Sequence, residues 1–177
     1  MEFVNLKLAH NIGDVMHSNY HTREEIINCK YPIGFDGIYK NVYDNMDVLE
    51  GKSGILFVMG NYIGLDNLFD LKYVPKLEEY CTWEQINEIL EKYPNFKLGW
   101  HTYSHVDLTT LTNVDDIIKE ITPPFPMEYF AYPYGNYNDV VLECVKIVGY
   151  KYAWSVTQGT KNTFDKNYNF KLYRNYI

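Results

Sequence analysis

Short strand-like runs alternate with helix-spaced segments along almost the whole chain, and that order restricts the fold more than any other feature. Residues 53–60, SGILFVMG, form an unbroken apolar run, as expected of a strand covered on both faces. FVNLKLAH (3–10) alternates apolar and polar residues and ends at His10, while YPIGFDG (31–37) ends at Asp36 and Gly37. FKLGW (96–100), EYFAYP (128–133) and YKYAWSV (150–156) supply further strands. Between them lie segments with helical spacing. HTREEIINCK (21–30) has Thr22 near its cap, and YKNVYDNMDVLE (39–50) follows the second strand. TWEQINEILEKY (82–93) opens with a Thr82/Gln85 capping box and sets Trp83, Ile86, Ile89 and Leu90 on one face. Asn113 caps NVDDIIKEI, and Gly149 closes NDVVLECVKIVG. Residues 61–81 mix Gly, Asp, Asn and Pro without a period, which predicts a long surface excursion. Such repetition implies a mainly parallel sheet wrapped by helices, either open or closed into a barrel. At 177 residues the chain has room for one good core, so a single domain spanning 1–177 is expected.

The formal charge of −7, with no basic cluster, argues against nucleic acid or an anionic membrane as partner. No run approaches the length of a spanning helix, and MEFVNLKLAHNIGD lacks the pattern of a secretory leader, so a cytoplasmic protein is expected. Cys29, Cys81 and Cys144 have no metal-ligand spacing, and their odd number argues against a disulfide framework. Eighteen tyrosines suit surfaces that stack on sugars, although AT-rich coding bias produces the same composition.

In an open parallel sheet and in a barrel alike, reactive groups gather at the carboxyl ends of the strands. His10, Asp36, the pair His101 and His105, and the stretch YPYG (132–135) all fall at such ends. Two imidazoles at i and i+4 reach a single ion when they share a helical turn, and a carboxylate from another strand completes a facial set. Asp36 is the natural third ligand. An isolated HxxxH is equally consistent with two loop histidines satisfied by hydrogen bonds. Thr102 and Ser104 lie where second partners of the rings are expected.

Taken together, the segments resemble the metal-dependent polysaccharide deacetylases of carbohydrate esterase family four. GFDGIYKNVYDN (34–45) is similar to the family's first motif, a Thr-Phe-Asp-Asp-Gly strand end leading into a helix. WHTYSHVDLTTLT (100–112) matches the His-Ser/Thr-x-x-His motif with its following Asp-Leu, and YFAYPYGNYND (129–139) resembles the Pro-Tyr-Gly strand end. VGYKYAWSV (148–156) looks like the strand after it, so the likeness covers nearly the whole chain from Ile33 onward. The resemblance implies a distorted, strand-deficient (β/α) barrel and hydrolysis of an acetyl group from an N- or O-acetylated sugar or polysaccharide. It also implies a divalent metal, zinc first with cobalt or nickel as alternatives, held by one Asp and two His. Carried over by motif, His101 and His105 are ligands, and the backbone N–H of Tyr134 helps hold the oxyanion.

Two departures stand out. The first motif has one carboxylate where the family has two. Aligned without a gap, Asp36 takes the place of the base and Gly37 that of the ligand; with one inserted residue, Asp36 becomes the ligand and Phe35 stands where the base belongs. Asp44, Asp47 and Asp66 are possible substitutes, each read first as a solvated residue. The family's late histidine acid is also missing, with Arg174 in FKLYRNYI instead. LKLAHNIGD (6–14) resembles a branch acting on poly-N-acetylglucosamine-like polymers that carries its acid on the first strand, which makes His10 the candidate acid. The arginine that orients the family's base is replaced by Ala131 or Tyr132. Tyr62, Tyr103, Tyr132 and Pro133 are candidate substrate contacts, Trp100 reads as core, and His17 and His21 as surface residues. An alternative function is a catalytically impaired carbohydrate-binding relic of the same fold.

Overall fold

A computed structural model describes residues 3, 5–13, 20–72, 76–156 and 169–177. Its strands are β1 (Lys7–Ala9), β2 (Asn11–Ile12), β3 (Tyr20–His21), β4 (Ile33–Asp36), β5 (Gly54–Val58), β6 (Phe96–Trp100), β7 (Tyr129–Ala131), β8 (Tyr152–Ser155), β9 (Leu172–Tyr173) and β10 (Asn175–Tyr176). The α-helices are α1 (Arg23–Asn28), α2 (Lys40–Asp44), α3 (Trp83–Lys92), α4 (Val114–Ile121) and α5 (Asp139–Val148). One parallel sheet runs in the order β10-β1-β4-β5-β6-β7-β8-β9. Arg174 alone separates β9, which pairs with β8, from β10, which pairs with β1. The C-terminal segment therefore acts as one bent strand that nearly closes a barrel, leaving seven strand positions where a full (β/α) barrel has eight. This is the strand-deficient architecture expected above.

Strand alternation sorts the core into two layers. Ile33 and Phe35 of β4, Leu56 and Val58 of β5, and Phe130 of β7 join a large cluster with Ile86, Ile89, Ile117, Val141 and Val145 of the covering helices. Ile55, Phe57, Ala131, Trp154 and Leu172 form a second cluster with Phe3 and Leu6. Every residue of β4 and β5 is buried, which accounts for their unbroken apolar character.

Local signals are borne out at the caps. Thr22 with Glu25, and Thr82 with Gln85, close reciprocal capping boxes on α1 and α3. Gly149 ends α5 at φ 101, a left-handed conformation that disfavours a side chain. The helical pattern over 39–50 divides into α2 and a 3-10 turn, Met46–Leu49. The excursion after β5 is held by backbone bridges between Tyr39 and Tyr80 and between Asp66 and Glu79. No helix among the described residues is long and apolar enough to cross a membrane.

Candidate active site

Asp36, the last residue of β4, is 4% exposed, and both of its oxygens are taken. Arg174 Nη1 donates to Oδ1 at 2.6 Å and Nη2 to Oδ2 at 2.8 Å. This is a two-toothed, charge-assisted pair between residues 138 apart in the chain. Arg174 is fully buried, its guanidinium lying 5.1 Å from the Phe57 ring centre. Gly34 makes room for it, because a Cβ there would come within 3.3 Å of Nη1. Burial pushes the Asp36 carboxyl up, but Arg174 and then His101 outweigh it and hold it at about 2. The aspartate is therefore ionised and aimed at all ordinary pH.

His101 follows β6 and is buried. Its Nδ1–H donates to the Ala131 carbonyl at 2.8 Å, which leaves Nε2 with its lone pair 3.7 Å from Asp36 Oδ2. The following loop is anchored to the end of α4. Glu120 accepts from the Ser104 N–H and hydroxyl through its carboxylate, and from the Tyr103 N–H and Trp100 indole through its carbonyl. Thr102 Oγ1 accepts from the His105 N–H. Thr102 and Ser104 thus fold the loop, and the Ala131 carbonyl, rather than either hydroxyl, fixes the His101 ring.

The His105 ring lies 4.9 Å from that of His101, centre to centre, between Tyr134 at 4.8 Å and Phe69 at 5.8 Å. Its Nδ1 is buried without a hydrogen-bond partner. Left-handed backbone at non-glycine residues is confined to Ile38 (φ 40), Thr102 (φ 67), His105 (φ 55) and Tyr134 (φ 58) among the described residues. All four sit in the loops that follow β4, β6 and β7. Strain of about 1–3 kcal/mol each is held where the candidate groups converge.

His10 follows β1, half-buried, with Nδ1 sealed and unpartnered. Asp36, His101, Arg174 and His21 all bear electrostatically on it, and burial above all lowers its pKa to about 4. The chain thus gathers His10, Asp36, His101, His105 and Tyr134 at one end of the strands. Tyr62 stacks on Phe69 at 4.1 Å and its hydroxyl donates to the Ser104 carbonyl, while Tyr103 is exposed at the rim. Tyr132 and Pro133 differ from expectation. Both are buried, and the Tyr132 hydroxyl donates to the Phe170 carbonyl, so its ring packs into the core instead of lining a groove. Asp44 and Asp47 pair with Lys40 and Arg23 on the surface, and Asp66 caps a turn. Trp100 is core. His21 is also buried, contrary to its surface reading, whereas His17 lies outside the described residues. Sequence reasoning missed the roles of Arg174 and Phe69. The only signal for Arg174 was an arginine inside the apolar pattern of FKLYRNYI.

The model of the polysaccharide deacetylase family matches residues 31–153, more than half of the chain, from the strand bearing Asp36 to the strand after Pro-Tyr-Gly. The chain belongs to the polysaccharide deacetylase family. This family consists of hydrolases acting on the amide or ester bonds of acetylated sugars. IcaB from Ammonifex degensii superposes with a TM-score of 0.80 at 16% identity, over 100% of this chain and 92% of that one. The Streptococcus pyogenes deacetylase PplD, solved with acetate, gives 0.74 at 16% identity, over 98% and 92%. A polysaccharide deacetylase from Bacillus cereus gives 0.75 at 17% identity; the match takes in 98% of this chain but only 64% of that chain's length. No curated protein matches the chain at a significant level.

Members of this family are generally metal-dependent. His101 and His105 fit a divalent ion as an imidazole pair, because the Ala131 contact leaves His101 Nε2 free to donate its lone pair. A third protein ligand is harder to find. Asp36 is committed to Arg174, and among the described residues no group of three or more His, Cys, Asp or Glu is arranged around one point. An aspartate at position 37 would not slip in. Gly37 has φ +82, and a Cβ there would lie 2.9 Å from Met59 Cε and 3.1 Å from Tyr80 Cε1.

One consequence is acid lability. Burial lowers His10 to about 4 and His105 to about 3, against 6.5 for a free histidine. The unfolded chain then binds protons that the folded one does not, so stability is full above pH 6.5 and falls as the pH drops towards these values. Urea titrations of metal-free protein at pH 7 and pH 4.5 are expected to differ by on the order of 5 kcal/mol, roughly half from each histidine, with pH 7 the more stable.

Proposed function

We propose that this chain hydrolyses the acetyl group of an N- or O-acetylated sugar or polysaccharide, with Asp36 as general base, His10 as general acid and a divalent ion, zinc first, on His101 and His105. The observation that carries this reading is the buried Arg174–Asp36 pair set 3.7 Å from His101 Nε2 at the mouth of a deacetylase barrel. With both oxygens on the guanidinium, Asp36 suits the base better than the ligand, and the ungapped alignment of the first motif agrees. Each carboxylate oxygen keeps a further lone pair, so Asp36 can still take a proton from an attacking water. When bound, the ion supplies Lewis-acid polarisation of the acetyl carbonyl. The Tyr134 N–H is the proposed oxyanion donor, and His10 delivers the proton that lets the sugar nitrogen or oxygen leave. PplD, solved with acetate, holds the small product such a reaction releases.

Acetate release from N-acetylglucosamine oligomers and from acetylated glycans, with zinc, cobalt or nickel supplied in turn, tests the proposal. Activity is expected with metal and its loss with chelator. No acetate from a broad panel would count against the reading.

Phe69, Tyr62 and Tyr103 form the proposed sugar-facing wall beside Tyr134. Phe69→Ala is expected to raise KM about tenfold with kcat changed less than about threefold, because stacking contributes on the order of 1 kcal/mol to ground and transition state alike. An unchanged KM in steady-state assays would remove Phe69 from the wall.

Gly37 favours a second reading, a glycan-binding relic, since it stands where the family's other aspartate belongs. That reading predicts oligosaccharide binding that survives both chelation and His101→Ala.

A further inference from the structure

Four buried polar atoms without a hydrogen-bond partner gather on three residues of one small region: His10 Nδ1, Asn11 Nδ2, Asn11 Oδ1 and His21 Nε2. The other such atoms among the described residues are scattered singly over Glu78, His105, Trp154 and Arg174. Asn11 is 1% exposed and His21 is 5% exposed. An amide with both ends orphaned costs several kcal/mol unless something satisfies it, so a concentration of this kind marks a polar chamber in use.

The backbone holds the chamber in place. His10 runs directly into β2, whose Ile12 is in parallel register with His21 of β3, and the Gly13 N–H donates to the His21 carbonyl at 3.0 Å. The Ile12 N–H donates to Asn41 Oδ1, tying the ladder to α2 behind Asp36. On the outer side, His21 Nδ1 lies 3.6 Å from Glu25 Oε2. That carboxylate is itself fixed, since the Thr22 N–H donates to it at 2.8 Å in the capping box. A helix cap thus sets an exposed carboxylate against one nitrogen of a buried imidazole whose other nitrogen is unpartnered. The groups that bear on His10 are Asp36, His101, Arg174 and His21, of which only His21 stands on the outer ladder.

We propose that His21, backed by Glu25, is a positioning residue for the acid His10: a water-bridged hydrogen-bond relay runs from Glu25 through His21 Nε2 to His10 Nδ1, with the Asn11 amide completing the chamber. The proposal rests on the reading of His10 as general acid. With Nδ1–H donated towards His21, His10 presents Nε2 to the leaving group, and the proton given up in the reaction leaves from Nε2 while Nδ1–H stays in the relay. Glu25, facing His21 Nδ1, holds the proton of His21 on that nitrogen and leaves Nε2 as the acceptor that fixes the His10 ring.

An acid matters when the leaving group is a poor one, which supplies the test. Wild type, His10→Ala, His21→Phe, His21→Gln and Glu25→Gln are compared on an N-acetylglucosamine pentamer and on 4-nitrophenyl acetate, whose leaving group needs no proton. His21→Phe is expected to lower kcat on the sugar amide about 30-fold with KM unchanged and to lower the aryl ester rate less than about threefold. His21→Gln, which keeps an acceptor, is expected to recover most of that loss, and Glu25→Gln, which keeps the capping box, to show a smaller loss of the same kind. Equal losses on both substrates with His21→Phe would overturn the relay, as would no loss while His10→Ala shows the amide-specific defect. If His10→Ala itself leaves the amide-to-ester ratio unchanged, the acid assignment fails and takes the relay with it. Histidine ring nitrogen NMR on metal-free protein gives an answer independent of turnover. His21→Phe is expected to move the His10 Nδ1 signal and speed exchange of its proton, His21→Gln is not, and an unmoved His10 signal in His21→Phe overturns the relay.

Discussion

Replacing Arg174 by alanine is expected to destabilise the protein by about 3–5 kcal/mol, the usual cost of stripping one partner from a buried ion pair. The variant leaves the Asp36 carboxylate 4% exposed with no guanidinium on it and the His101 ring 3.7 Å away as its one basic neighbour at short range. It also opens a gap beside Phe57 at the residue that joins β9 to β10. Asp36 then loses the main influence that keeps its pKa near 2, and burial drives it upward. Arg174→Lys is expected to recover only part of the loss, because an ammonium cannot match both oxygens at once. The decisive comparison is Asp36→Leu with Arg174→Met. Exchanging both partners for apolar groups removes the uncompensated charge, so the double variant is expected within about 1–2 kcal/mol of wild type while each single variant is far less stable. Urea melts of the four proteins measure the coupling. Additive losses would show that barrel closure, and not the charge pair, is what Arg174 contributes.

That pair also marks where reading from sequence stops. The elements were legible because their signals are local: Thr82 and Gln85 three residues apart, Gly149 one residue past its helix, and the apolar run of β5. The histidine pair was legible for the same reason, as both rings belong to one loop. Arg174 and Asp36 meet across 138 residues, and no local pattern announces such a contact. β9 and β10 are two residues each, too short for periodicity to register. His21 was misread because its neighbours Thr22 to Glu25 are polar, yet parallel pairing with β2 draws it inward while the helix it precedes stays exposed. Tyr132 was misread in the opposite sense. Its neighbours carry the Pro-Tyr-Gly chemistry, but alternation along β7 turns its own side chain into the helix-covered layer with Phe130. The left-handed backbone at Ile38, Thr102 and Tyr134 was invisible for a related reason, since these residue types do not advertise a positive φ, and at His105 the modest preference of histidine for it is too weak to read. Where local preference and fold disagree, as at these four positions, the disagreement coincides with the candidate site.

Asp36→Asn is expected to lower kcat for acetate release by about 10³-fold or more with KM little changed, since a positioned base is worth 10²–10⁴ and the amide is no proton acceptor at this pH. His101→Ala is expected to be as damaging to kcat. The two defects differ in what happens to the metal. If Asp36 is the base, Asp36→Asn keeps zinc on the imidazole pair, and zinc content measured on dialysed protein stays near that of wild type. His101→Ala removes one of two donors, and its zinc content falls by at least about tenfold, a loss that added metal in the assay does not repair. Were Asp36 a ligand, Asp36→Asn would lose metal alongside His101→Ala, and excess zinc would restore part of its activity. Arg174 argues for the first outcome on electrostatic grounds. A divalent ion placed on Asp36 would have to share the carboxylate with a guanidinium already within 2.8 Å of each oxygen, and two cations at that separation in a buried site repel strongly. The imidazole pair, with the ring of His101 held by a neutral carbonyl, carries no such penalty.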